Sequence, residues 1–121
     1  MQREQLKILL LQIRDDHKVR AEELESFARY SQLDVNQIDV LNVFDTPSFD
    51  SSVLEGYDAL YVGGASEANV LEPKIYPFVN DCISLIKFAG DTGIPTFASC
   101  FGFQLAVLAF GGEILLSLIH I

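Results

Sequence analysis

The run Lys7-Ile8-Leu9-Leu10-Leu11-Gln12-Ile13 constrains the fold more than any other stretch of the chain. Its apolar residues do not alternate with polar ones, so a strand formed here has no face to offer water. Such a strand is stable in the middle of a sheet covered on both sides, which is the setting of a central strand in a parallel α/β sheet.

The chain that follows fits that setting. Arg14-Asp15-Asp16-His17 reads as a polar loop with both aspartates solvated, and residues 21–30 read as a surface helix with Leu24, Phe27 and Ala28 on one face. Residues 37–43 alternate, as a strand nearer the sheet edge does, and Thr46-Pro47-Ser48 opens a loop. A third strand over 57–62 stops at Gly63-Gly64. Residues 73–89 form a long helix with proline in its first turn, and Cys82 falls among its apolar positions as core filling. Gly90-Asp91-Thr92-Gly93 closes that helix, a short buried strand follows from Pro95, and a fifth strand begins at Glu113. The expected fold class is α/β: a flavodoxin-like three-layer sandwich with a mainly parallel sheet of order 2-1-3-4-5, in a single domain over residues 1–121. Ligands of such sheets bind at the carboxyl ends of the strands.

Two features meet at that edge. Pro95-Thr96-Phe97-Ala98-Ser99-Cys100-Phe101-Gly102 reads as a strand running straight into a helix, with a cysteine on the turn and small residues, Ala98 and Gly102, two positions to either side. That pattern describes a nucleophile elbow. A cysteine at a helix N-terminus has its thiolate favoured by the helix dipole, and the next N–H, that of Phe101, points where an oxyanion would form on an attacked carbonyl. Neighbouring strands lie about 4.8 Å apart, so an N–H from the Gly63-Gly64 loop on the adjoining strand can complete the oxyanion hole.

Composition narrows the partners. With 8 basic against 17 acidic residues and a formal net charge of -9, the chain lacks the clustered cations that nucleic acid or an anionic membrane requires. Its longest apolar region is broken by Gln104, Gly111-Gly112 and Glu113, short of the ~20 continuous apolar residues of a membrane span. The two cysteines, Cys82 and Cys100, match no metal-ligand spacing and no disulfide framework, and the N-terminus has no signal-peptide pattern. A reducing cytoplasm is the expected compartment, with no metal and no cofactor.

Val62-Gly63-Gly64-Ala65-Ser66-Glu67, Cys100-Phe101-Gly102-Phe103-Gln104 and Gly111-Gly112-Glu113 resemble the class I glutamine amidotransferases, most nearly the GMP-synthase-type glutaminase domains. The resemblance spans the chain from its first strand to Gly112. It implies an enzyme in which Cys100 attacks the side-chain amide of glutamine and the released ammonia passes to an ATP-dependent synthetase domain or subunit. It assigns the oxyanion hole to the N–H groups of Gly64 and Phe101, and the substrate lining to Gly63 and Gln104. Ala98 stands where the family commonly has glycine, which tightens the elbow by one methyl group.

The family's base and its orienting acid form a His-x-Glu pair well downstream of the cysteine, and no such pair follows Cys100 here. His120 has no carboxylate two residues on, and His17 lies two strands from the elbow in the expected order, roughly 10 Å away, beyond the ~3 Å a nucleophile and its base need. Two alternatives follow: a non-catalytic glutamine-binding or regulatory fragment, and a cysteine protein of the DJ-1/PfpI type, whose histidine directly after the cysteine is replaced by Phe101. Residues 115–121 leave the family's course, so this chain is expected to be a truncated, inactive fragment with a non-native tail. The coding sequence is then expected to continue from Ile114 into a longer frame carrying His-x-Glu. A genomic stop codon directly after Ile121 overturns that expectation.

Overall fold

The computed structural model describes residues 3–64 and 78–98. Four strands, β1 (Ile8–Gln12), β2 (Ile38–Asn42), β3 (Ala59–Val62) and β4 (Thr96–Ala98), form one parallel sheet of order β2-β1-β3-β4. The predicted order 2-1-3-4 is therefore observed for these strands, while the fifth strand lies outside the described residues.

β1 is central, and the burial of Ile8, Leu9, Leu10 and Leu11 accounts for that position. Its alternate residues feed two separate cores. Ile8 and Leu10 join Ile38 and Ala28 beneath helix α1 (His17–Ser31), while Leu9 and Leu11 join Leu60, Val62 and the buried face of helix α2 (Phe78–Asp91). A right-handed crossover places helices on opposite faces when the chain steps first to one side of β1 and then to the other. On α2 the buried residues Phe78, Val79, Cys82, Leu85, Ile86 and Ala89 follow the spacing of a single helical face. Cys82 is fully buried there, and burial pushes its thiol pKa up, out of the range where a thiolate forms.

α1 begins four residues earlier than its apolar pattern indicates. Asp16, expected in a solvated loop, caps the helix by accepting from the N–H groups of Lys18 at 2.8 Å and Val19 at 3.2 Å, and His17 is the first helical residue. The apolar period marks the buried stretch of a helix, whereas a capping side chain fixes where it starts. The two helices end alike. Leu33 N–H reaches back to Ala28 O at 2.9 Å and Gln32 N–H to Arg29 O, as Ile94 does to Ala89 and Gly93 to Gly90 after α2. This closure needs a left-handed residue, which is Gly93 at φ 77 after α2 and Gln32 at φ 57 after α1.

The fourth strand corrects an expectation of burial. Thr96 is exposed, and Phe97 is 51% exposed. β4 is the outer strand of the described sheet, and on the α1 side its Phe97 ring meets the rings of Phe27 and Tyr61 at the end of the helix's reach. No helix among the described residues is long and apolar enough to cross a membrane.

On the α2 face of the edge strand, Tyr57 donates its hydroxyl proton to Asp39 Oδ2 at 2.6 Å. That bond, with partial burial and the neighbouring negative charge, raises the Tyr57 pKa from 10.0 to about 12. The folded state therefore holds this proton more tightly, so the stabilisation is complete below about pH 10 and fades as pH rises toward 12. Ultraviolet titration of the parent protein against Tyr57→Phe is expected to show that the missing phenolate is the one forming near pH 12; loss of a phenolate forming near pH 10 contradicts this.

Candidate functional site at the carboxyl edge of the sheet

β1 and β2 end in polar residues that bond to one another across the sheet edge. Gln12 closes β1 and Asn42 closes β2; both are buried, and they face each other in the parallel register. Asn42 Nδ2 donates to Gln12 Oε1 at 3.0 Å and to the Arg14 carbonyl at 2.9 Å, and Asn42 Oδ1 accepts from the Phe44 N–H at 2.9 Å. Gln12 Nε2 donates to the Arg20 carbonyl of α1 at 3.0 Å. Buried amides are stable here because these bonds replace the water they lost.

Arg20 returns along the same edge. Its Nε donates to the Arg14 carbonyl at 2.9 Å, and its Nη1 pairs with Asp45 at 2.8 Å. Arg14 in turn sends its Nε to Glu23 Oε2 at 2.9 Å, and the Glu23 side chain is 9% exposed. The chain of contacts ends on β3, where the Glu23 carboxylate lies directly against Gly63. A β carbon at Gly63 would stand 2.6 Å from Glu23 Oε1 and 2.7 Å from Oε2. Position 63 must therefore lack a side chain as long as Glu23 keeps this place.

Gly63 and Gly64 are both buried at the end of β3. The Gly63 N–H donates to the Leu11 carbonyl at 3.0 Å, which carries the β1–β3 ladder one bond past Val62. The Gly64 N–H has no acceptor among the described residues. Of the two glycines predicted to serve the site, Gly63 thus spends its amide inside the sheet, while the Gly64 amide makes no such bond among the described residues. On the adjoining strand, Val62 is registered with Ala98. Gly64 follows Val62 by two residues, and Cys100 follows Ala98 by two. Cys100, Phe101, Gln104 and His120 themselves lie outside the described residues. His17 is exposed on the first turn of α1, with no described partner from β4.

Beside Glu23, an open cleft of about 460 Å³ runs between α1 and β4, bounded by Arg14, Glu23, Phe27 and Phe97. Phe27 also stacks on Tyr61, with ring centroids 5.2 Å apart. Among the described residues no group of His, Cys, Asp and Glu has the arrangement of a metal site.

The edge network was not anticipated from the sequence. Gln12 and Asn42 did carry a signal, since each is a lone amide ending a strand whose other inward positions are apolar. Glu23 carried none, because nothing in Glu22-Glu23-Leu24-Glu25 separates the partly buried carboxylate of Glu23 from the exposed ones of Glu22 and Glu25. No family model and no curated protein sequence matches the chain.

Replacing Asn42 by alanine leaves Gln12 Oε1 and the Phe44 N–H without these partners, and is expected to destabilise the fold by about 1–3 kcal/mol. Urea denaturation measures this; a change below ~0.5 kcal/mol, the size of an ordinary surface substitution, overturns the structural role given to the network.

Proposed function

We propose that this chain carries the cysteine half of a glutaminase site of the class I glutamine amidotransferase kind, on a flavodoxin-like sheet of order 2-1-3-4-5. The observation that supports it most is the parallel register of Val62 with Ala98, since the double glycine directly follows the first in sequence and Cys100 follows the second by two residues. In this reading the two sequence features, each weak alone, are parts of one site.

In this reading the Cys100 thiolate attacks the side-chain carbonyl carbon of glutamine. The electron pair of the C=O moves to oxygen, and the Gly64 and Phe101 N–H groups bind the resulting oxyanion. Collapse of the tetrahedral intermediate breaks the C–N bond, the nitrogen leaves as ammonia after accepting a proton, and a thioester to Cys100 remains. Water then adds to the thioester carbonyl and releases glutamate and the thiol. Gly63 and Gln104 line the substrate. The ammonia goes to an ATP-dependent synthetase domain or subunit, with no cofactor and no metal in the glutaminase step, in the cytoplasm. The net charge of -9 supports the absence of nucleic acid and membrane among the partners.

The sequence also favours a second reading. No His-x-Glu pair follows Cys100, and loss of a general base lowers the rate by roughly 10²–10⁴. A chain lacking that base binds glutamine and turns it over slowly or not at all.

The two cysteines make the test internally controlled. A diazo-ketone analogue of glutamine is expected to alkylate Cys100 and to spare Cys82, whose thiol is buried and held protonated. Peptide mapping after labelling reads the outcome. Equal labelling of both cysteines, or labelling of neither, overturns the assignment of Cys100 as nucleophile.

A further inference from the structure

Glu23 stands out among the buried polar groups. Its Oε2 is held by Arg14 Nε at 2.9 Å, while its Oε1 is a buried side-chain oxygen with no hydrogen-bond partner among the described residues. Leaving such an oxygen unpaired is unfavourable, and smaller or apolar side chains could fill the same space without it. The carboxylate also rests on Gly63, where a β carbon would stand 2.6 Å from Oε1 and would have to displace the carboxylate to fit. Behind it, the Arg14 carbonyl is fixed from two sides, by Arg20 Nε at 2.9 Å and Asn42 Nδ2 at 2.9 Å. A continuous set of contacts thus runs from the end of β2, through β1 and α1, to the end of β3.

We propose that Glu23 is a positioning residue for the Gly63–Gly64 strand end, pressing on Gly63 so that the Gly64 amide keeps the height at which it can donate to an oxyanion. This rests on the glutaminase reading above. Two consecutive glycines have more backbone freedom than any other pair, and oxyanion donors act only when held within a few tenths of an ångström of the developing charge. Gly63 N–H, bonded to Leu11, fixes the strand end within the sheet plane. Glu23 closes it from the α1 side.

Two measurements on the whole chain test this. The first is a thermal-denaturation cycle of Gly63→Ala, Glu23→Ala and the double variant. Gly63→Ala alone is expected to lower the melting temperature because its methyl group meets the carboxylate, and the double variant to recover part of that loss because the methyl enters the vacated space. Strict additivity overturns the contact. The second compares capture of Cys100 by the diazo-ketone analogue, which needs the oxyanion donors, with its reaction with iodoacetamide, which does not.

Glu23→Ala is expected to slow analogue capture roughly tenfold or more and to leave iodoacetamide reaction unchanged. Glu23→Gln, similar in size and able to accept from Arg14, is expected to restore capture. Cys82 stays unlabelled throughout if the core is intact. Parallel changes in both reagents, or labelling of Cys82, reduce Glu23 to a stability role and overturn the proposal. If the parent chain is captured and Glu23→Ala is captured equally, the role of Glu23 alone falls. If the parent is not captured, the amide reading falls and takes this role with it.

Discussion

The removal of β1 from water on both faces is the constraint on which the rest of the structure depends. Ile8 and Leu10 point to one side and Leu9 and Leu11 to the other, all buried, and neither set is covered unless a helix packs on each face. Full burial of a leucine or isoleucine stabilises by about 1.5–3 kcal/mol, so this short strand holds more of the driving force than its length suggests. The crossover connections follow, because parallel neighbours at β2 and β3 can be reached only by chain that passes over a face.

Once β1 is central, its carboxyl end becomes the place where polar chemistry must be resolved. Strand-end amides and carbonyls have to be paired in a region partly closed to water. The structure does so with a few polar side chains: Gln12, Arg20 and Asn42 each donate to a backbone carbonyl, and Arg14 pairs with Glu23. Glu23 is the exception in that its second oxygen has no partner among the described residues while its carboxylate fills the space beside Gly63. Buried polar groups paired in this way tie the ends of β1 and β2 to α1.

The sequence conveyed the order of the strands because apolar density reports directly on burial. The run at residues 8–11 marked the centre of the sheet, and the alternation over 37–43 marked a strand nearer its edge, although Asp39 and Val40, on opposite faces, are both exposed there. It conveyed helix starts poorly, since Asp16 as a cap looks no different in sequence from Asp15 as a solvated acid. It misjudged β4, because an apolar residue such as Phe97 signals a preference for burial without saying whether neighbouring chain provides the cover. The double glycine was legible as a special backbone position, yet the reason for Gly63, a carboxylate arriving from a helix forty residues earlier, involves a contact that no local pattern encodes.

The position of Asp39 on β2 limits how the sheet can grow. An edge strand with a charged side chain and a short ladder is a poor template for a further strand, and Asp39 places its charge midway along β2, tied to Tyr57 beneath the sheet. A strand added at that margin would lay its side chains beside the Asp39 carboxylate and its bond to Tyr57, stripping the charge of part of its solvent, so among the described strands β2 is a poor seat for further pairing.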